Sequence, residues 1–322
     1  MTYVLIIAGF TLLLLGGESV VRGSIALARR LGVSPLIVGL TVVGLGTSLP
    51  EMVVSVNAGL AGSPGLAVGN VIGSNIANIF LILGVAVLIA PFSVHPKAVR
   101  RDALAMGAVT LTFVCLGMTG HIAQWHGIAM IFILIAYIGF SVWRDQTANQ
   151  LAVDMGAEEV TGVEIVKLST VSICGLIIAG LILLVVGAEL LVTAAITLAM
   201  ALGVPKEVIG LTVFALGTSL PELSASIVAA YRGHSDVCIG NILGSNLFNL
   251  FGITGITALL VPLPFSEKIV SFDLWILLLA TAILLPFLLS GQKFYRLLGL
   301  LFLCGYICFV GAQYTVLGGM TI

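Results

Sequence analysis

Charge is what this 322-residue chain has least of: 13 Lys and Arg and 14 Asp and Glu, together 8 % of its residues. A soluble protein carries about 25 %. So few charged groups cannot keep a chain of mean hydropathy +1.23 in water, which excludes a soluble globule. The net charge of −1 excludes the basic surface that nucleic acid binds. Cysteine is sparse as well. Cys115, Cys174, Cys238, Cys304 and Cys308 lie in or beside apolar runs, form no CxxC pair, and are read as packed side chains. His95, His121, His126 and His234 fall in expected loops or at span ends and make no ligand cluster. No cofactor and no obligate protein partner is indicated. No nucleophile motif supports an enzyme, including an intramembrane hydrolase built on two carboxylates.

What the chain does have is apolar length, at 60 % hydrophobic residues, and 38 glycines that suit close helix packing in lipid. A bilayer-spanning helix needs about 20 apolar residues. Ten such segments fit, at 3–28, 36–61, 66–90, 103–119, 124–143, 167–199, 207–230, 237–261, 272–289 and 296–315. The expectation is an all-α membrane protein with the lipid bilayer as its solvent. The N-terminal run carries Arg22, Arg29 and Arg30 after its apolar stretch, so it is read as a retained first span rather than a secretory leader. One set of alternate connections gathers ten Lys and Arg and the other only Lys206 and Lys268. The rich side is therefore expected to be cytoplasmic, in a plasma (inner) membrane, with both termini outside. Trp125 and Trp143 stand 18 residues apart, about 27 Å of helix, which suits the two membrane interfaces. The segment 144–166, with Asp145, Asp154, Glu158, Glu159 and Glu164, is read as a solvated acidic cytoplasmic loop without an EF-hand pattern.

The chain repeats itself. Residues 39–51 read GLTVVGLGTSLPE and 210–222 read GLTVFALGTSLPE, identical at 11 of 13 positions. Residues 69–78 read GNVIGSNIAN and 240–249 read GNILGSNLFN, identical at six of ten, with the same offset of 171. The offset also aligns Glu18 with Glu189, Gly32 with Gly203 and Pro91 with Pro262. The division is 1–143 for one five-span half, 144–166 for the loop and 167–322 for the other half. Five is odd, so the halves enter the membrane from opposite sides. Two inverted five-helix repeats are the architecture of secondary transporters, whose substrates bind near the midplane. A cation channel is a third, weaker reading.

Each GTSLPE segment sits mid-span. Pro50 and Pro221 lack a backbone N–H, so the carbonyls of Gly46 and Gly217 lose a helical partner. A free carbonyl is tolerated in hydrocarbon where it lines a cavity or meets an ion. Thr47, Thr218, Ser48 and Ser219 add carbonyl and hydroxyl oxygens. Glu51 and Glu222 are the central pair. An ionised carboxylate buried alone costs several kcal/mol, and no Lys or Arg lies near mid-membrane in the second, third, seventh or eighth spans. The partner must be a bound cation or a proton. Two converging glutamates among hard oxygens suit Ca²⁺, with Na⁺ or H⁺ competing for the same oxygens. In the GNxxGSN segments, Ser74, Asn78, Ser245 and Asn249 are assigned to the ion path. Asn70, Asn75, Asn241 and Asn246 are assigned to interhelical bonding. Glu18 and Glu189 are placed near the ends of long helices in structural or vestibule roles, Glu18 pairing with Arg22.

GTSLPE at 46–51 and 217–222, with GNxxGSN at 69–75 and 240–246, resembles the calcium/cation antiporter superfamily, in particular short prokaryotic sodium/calcium exchangers. The resemblance covers nearly the whole chain. It implies two long helices sliding past an eight-helix core, with Glu51 and Glu222 as calcium carboxylates and main-chain carbonyls of Thr47 and Thr218 in the same site. It further implies sodium ligands at Ser48, Ser74, Ser219 and Ser245, at the carbonyls of Gly44 and Ala215, and a central polar pair at Asn78 and Asn249. Many members carry Asp at one of that pair; this chain has Asn at both. The function expected is exchange of cytoplasmic calcium for external sodium, with proton/calcium exchange as the second reading.

Overall fold

The computed structural model describes residues 2–154, 168–201 and 215–319. These residues are helical almost throughout, as a backbone in lipid must be to satisfy its own polar groups. The first half contains α1 (Thr2–Leu31), α2 (Pro35–Thr47), α3 (Leu49–Leu60), α4 (Pro64–Ile89), α5 (Pro96–Met118), the short strand β1 (His121–Ile122) and α6 (Gln124–Asp154). The second contains α7 (Thr170–Ala201), α8 (Ala215–Thr218), α9 (Leu220–Tyr231), α10 (Ser235–Leu260), β2 (Leu263–Pro264), α11 (Ile269–Ser290) and α12 (Arg296–Gly319). Among the described residues, eight helices are long and apolar enough to cross a bilayer, and α2 with α3, bent by 44°, makes a ninth. The expected span 207–230 lies partly outside the described residues, so ten helices are not counted directly.

The repeat extends to the turns. Gly62 (φ 78°) and Gly233 (φ 78°) end the hairpins α3–α4 and α9–α10, and Gly120 (φ 89°) and Gly291 (φ 68°) end those of α5–α6 and α11–α12. Each pair is 171 positions apart, and each residue needs a left-handed conformation that costs glycine nothing. The connections cross over between halves. β1 pairs antiparallel with β2, and Phe92 bridges to Phe294 in the equivalent place.

Close approach of small residues holds the helices together, as expected where lipid gives no hydrophobic drive for association. On α1 and α7, a Cβ at Gly16 would lie 2.8 Å from the Gly180 carbonyl and one at Gly187 2.9 Å from that of Gly9. The tightest seam joins α2 to α10 of the other half, where a Cβ on Gly244 would lie 2.0 Å from the Leu40 carbonyl. Thr281 donates to Thr110 at 3.5 Å across α11 and α5, two residues again 171 apart.

Three expectations change. The helix begun at Gln124 does not stop at Trp143 but continues to Asp154, because no Gly or Pro breaks it before Gly156. Its extension is tied down: Asp145 accepts the Ser34 N–H at 2.5 Å, and Gln146 donates to the Leu31 carbonyl at 3.2 Å. The start of the expected loop is therefore a docked helix, while Glu158, Glu159 and Glu164 lie outside the described residues. Glu18 and Glu189 are interior positions of α1 (Thr2–Leu31) and α7 (Thr170–Ala201), about three helical turns before each C-terminal end, not at their ends. Glu18 does pair with Arg22, at 2.5 Å, and also with Arg232 beyond the end of α9, at 2.9 Å.

Candidate functional site

The site is built on two helix breaks. At Ser48 the backbone leaves the helix (φ −84°, ψ 6°), and at Ser219 it does the same (φ −89°, ψ 5°). Each following helix restarts with a proline in its first turn, Pro50 in α3 and Pro221 in α9, where a missing N–H is harmless. The next residues are Glu51 and Glu222, each 1 % exposed. Before the break, α2 lies against α10 of the other half; after it, α3 lies against α4 of its own half. The chain thus changes partners at the point where the carboxylate appears.

The two halves exchange their hydroxyls. Ser48 donates to Glu222 at 3.0 Å, and Ser219 donates to Glu51 at 3.0 Å. Oε2 of each glutamate is buried without a hydrogen-bond partner among the described residues, and neither glutamate forms an ion pair there. An unpaired carboxylate in an apolar interior attracts a cation strongly.

Around this pair, Asn78 donates to Asn246 of the other half at 3.4 Å, so Asn246 belongs to the central polar group. Both side-chain amide atoms of Asn249 are buried and have no hydrogen-bond partner among the described residues. Both Asn78 and Asn249 fall in π-helical stretches, Asn78–Ile82 and Phe248–Ile253, which loosen the carbonyl ladder there. Ser245 donates to the Gly44 carbonyl at 3.3 Å, whereas Ser74 donates within its own helix to Asn70 at 2.8 Å. Of Ala215 only the backbone, at the start of α8, is described. Thr47, Ser48, Ser74, Asn78, Ser219, Ser245 and Asn249 are all buried. Among the described residues no cluster of three His, Cys, Asp or Glu could hold a metal. The buried oxygens gathered here are two carboxylates and neutral hydroxyl, amide and carbonyl groups, a chemistry that suits hard cations.

Sequence reasoning missed a second polar set. Asp102 of α5, fully buried, accepts from Arg101 at 2.8 Å and from the Tyr137 hydroxyl. Its mate in the repeat, Asp273 of α11, accepts from Gln313, which in turn accepts from Lys268. The signal was available, since Asp102 and Asp273 are 171 apart, but neither lies in a repeated motif.

Comparison with known proteins agrees with this construction. The profile of the family described as sodium/calcium exchanger protein matches residues 1–143 and 172–315. The inner membrane protein YrbG of Escherichia coli is 35 % identical over 87 % of this chain and 86 % of its own length. The sodium/calcium exchanger MaX1 of Methanosarcina acetivorans is 28 % identical over 96 % of this chain and 97 % of its own. A solved structure of the sodium-calcium exchanger NCX_Mj superposes with a TM-score of 0.83 at 32 % identity, covering 97 % of this chain and 98 % of that one. This multi-pass membrane protein, with its paired carboxylates at two broken helices, belongs to the sodium/calcium exchanger protein family.

Proposed function

We propose that the protein is a secondary active antiporter that exports cytoplasmic Ca²⁺ in exchange for external Na⁺ by alternating access. The observation that carries this reading is the reciprocal contact of Ser48 with Glu222 and Ser219 with Glu51, which leaves one uncompensated oxygen on each carboxylate. Two such oxygens at the seam between the halves give a formal charge of −2 that a single Ca²⁺ neutralises. Carrying the emptied, charged pair through the apolar barrier is costly, so return requires other cations. Glu51 and Glu222 hold Ca²⁺ with the main-chain carbonyls of Thr47 and Thr218. Ser48, Ser74, Ser219, Ser245, Asn78 and Asn249, with the carbonyls of Gly44 and Ala215, serve Na⁺. Ten helices in two inverted repeats, residues 1–143 and 167–322 joined by 144–166, accommodate this scheme. Supporting it are the 171-residue periodicity of the breaks and turn glycines and the crossed loop pairing. The chain sits in a plasma (inner) membrane with both termini outside, supported by the Lys and Arg distribution.

Proton/calcium exchange is the second reading, favoured by amides at both Asn78 and Asn249, which leave the site with two carboxylates. Proteoliposomes decide between them. A Na⁺ gradient at clamped pH drives ⁴⁵Ca²⁺ uptake if sodium is the counter-ion. Uptake driven only by a pH gradient assigns protons, and calcium flux indifferent to every counter-ion assigns a channel.

A further inference from the structure

Asn70 and Asn241 do more than join helices. The Asn70 side-chain amide donates to the main-chain carbonyl of Glu51 at 3.1 Å and to Ser55 Oγ at 2.9 Å. Asn241 repeats the arrangement on Glu222, at 3.4 Å, and Ser226, at 2.9 Å. The carbonyl of residue i and the hydroxyl of residue i+4 lie on one helix face, so the two hydrogens of one amide reach both. The bonded groups are the turns that carry the carboxylates, not the carboxylates themselves. Asn241 reaches further. Its Oδ1 lies 3.2 Å from the Thr47 hydroxyl of the other half, in the last turn before that half's break, and shares that hydroxyl's single hydrogen with the Val43 carbonyl at 3.0 Å.

The breaks make such bonds consequential. Neither Ser48 nor Ser219 caps the following helix with its side chain. Backbone bonds span the breaks, from the Met52 N–H to the Ser48 carbonyl at 3.1 Å and from the Leu223 N–H to the Ser219 carbonyl at 3.0 Å, and the asparagine amides add to each glutamate-bearing turn a tie from the neighbouring helix. Lipid offers no alternative donor. We propose that Asn70 and Asn241 are positioning residues for the paired carboxylates. Each anchors the glutamate-bearing turn to the next helix, α4 or α10, and Asn241 also registers the Thr47 turn of one half against the Glu222 turn of the other. This rests on the reading of Glu51 and Glu222 as the cation pair. Released from the amides, the oxygens spread, and the cage loses both affinity and its preference for ion size.

Reconstituted full-length N70L and N241L test this by ⁴⁵Ca²⁺ binding and exchange, with Sr²⁺ as competitor. The expected result is an increase in Kd of about tenfold or more, the loss of one or two buried hydrogen bonds. Maximal exchange at saturating Ca²⁺ stays within about threefold, and the Ca²⁺ to Sr²⁺ preference moves towards one. S55A and S226A, which each remove only one acceptor, shift Kd the same way by a smaller factor and decide the matter if the leucine variants do not fold. Unchanged Kd and ion preference in folded variants, or lost maximal rate at unchanged Kd, overturns the proposal. An ion-free readout separates it from the functional reading. Cryo-electron microscopy of N70L is expected to find the Ser219 to Glu51 bond displaced, and an unaltered bond rejects the positioning role even if the wild type binds no Ca²⁺.

Discussion

The Ser48 hydroxyl donates to the Glu222 carboxylate at 3.0 Å, joining residues 174 positions apart in the chain. With its mirror contact from Ser219 to Glu51, it makes each half the immediate environment of the other half's acid. Among the described residues, each carboxylate takes a serine hydroxyl from the other repeat.

It follows that both acids are needed. E51Q and E222Q are each expected to reduce calcium exchange to background while inserting and folding normally, because the amide leaves a charge of −1 to hold a divalent ion. Isotope uptake in proteoliposomes, with expression and thermal melting as controls, measures it. Normal transport by either variant rules out the shared cage.

The hydroxyl exchange should register as a pairwise energy. S48A is expected to raise the half-saturating Ca²⁺ concentration about tenfold or more, consistent with about 1.5 to 3 kcal/mol for a hydrogen bond to a charged group. In an E222Q background, calcium binding should change much less on adding S48A. A double-mutant cycle that returns full additivity would show that the contact carries no energy.

Packing at the seam between halves predicts an asymmetry among glycines. Gly244→Ala places a methyl group 2.0 Å from the Leu40 carbonyl, whereas Gly139→Ala meets nothing within 4 Å among the described residues. The first is expected to destabilise by about 1 to 3 kcal/mol or more, the second to be neutral. Melting temperatures in detergent compare them.

His234, in the turn between α9 and α10, is held below the ordinary histidine range, chiefly by burial and then by the Arg29 charge. The folded state thus prefers the neutral ring. Its contribution to stability is full above the unfolded pKa of about 6.5 and is lost as pH falls through the lower folded value. Between about pH 7 and 5, H234Q should lose less melting temperature than the wild type. Equal losses would remove His234 from the pH response.

Much of this molecule was legible as a string. Glu51 and Glu222 could be singled out because an acid after a mid-span proline has few structural excuses, and duplication removed the remaining ones. The breaks at Ser48 and Ser219 followed from Pro50 and Pro221. Other features were hidden for a physical reason. In lipid, the outward face of a helix is as apolar as its packed face, so periodicity does not tell which side meets protein. Asp102 and Tyr137 gave no sign of facing each other, and the helix through Asp145 continued past its apolar stretch to hold Ser34.

By itself, the sequence determined the class of solvent, the duplication, the two kinks and the acids beside them, since these depend on composition, spacing and local backbone chemistry. Only the tertiary structure decided which oxygens face which. Ser48 serves Glu222 rather than Glu51, and Asn241 spans Glu222, Ser226 and Thr47. Contacts between halves depend on how two separately encoded units dock, through glycines such as Gly44 and Gly244 that let backbones meet, and docking leaves no period in the chain.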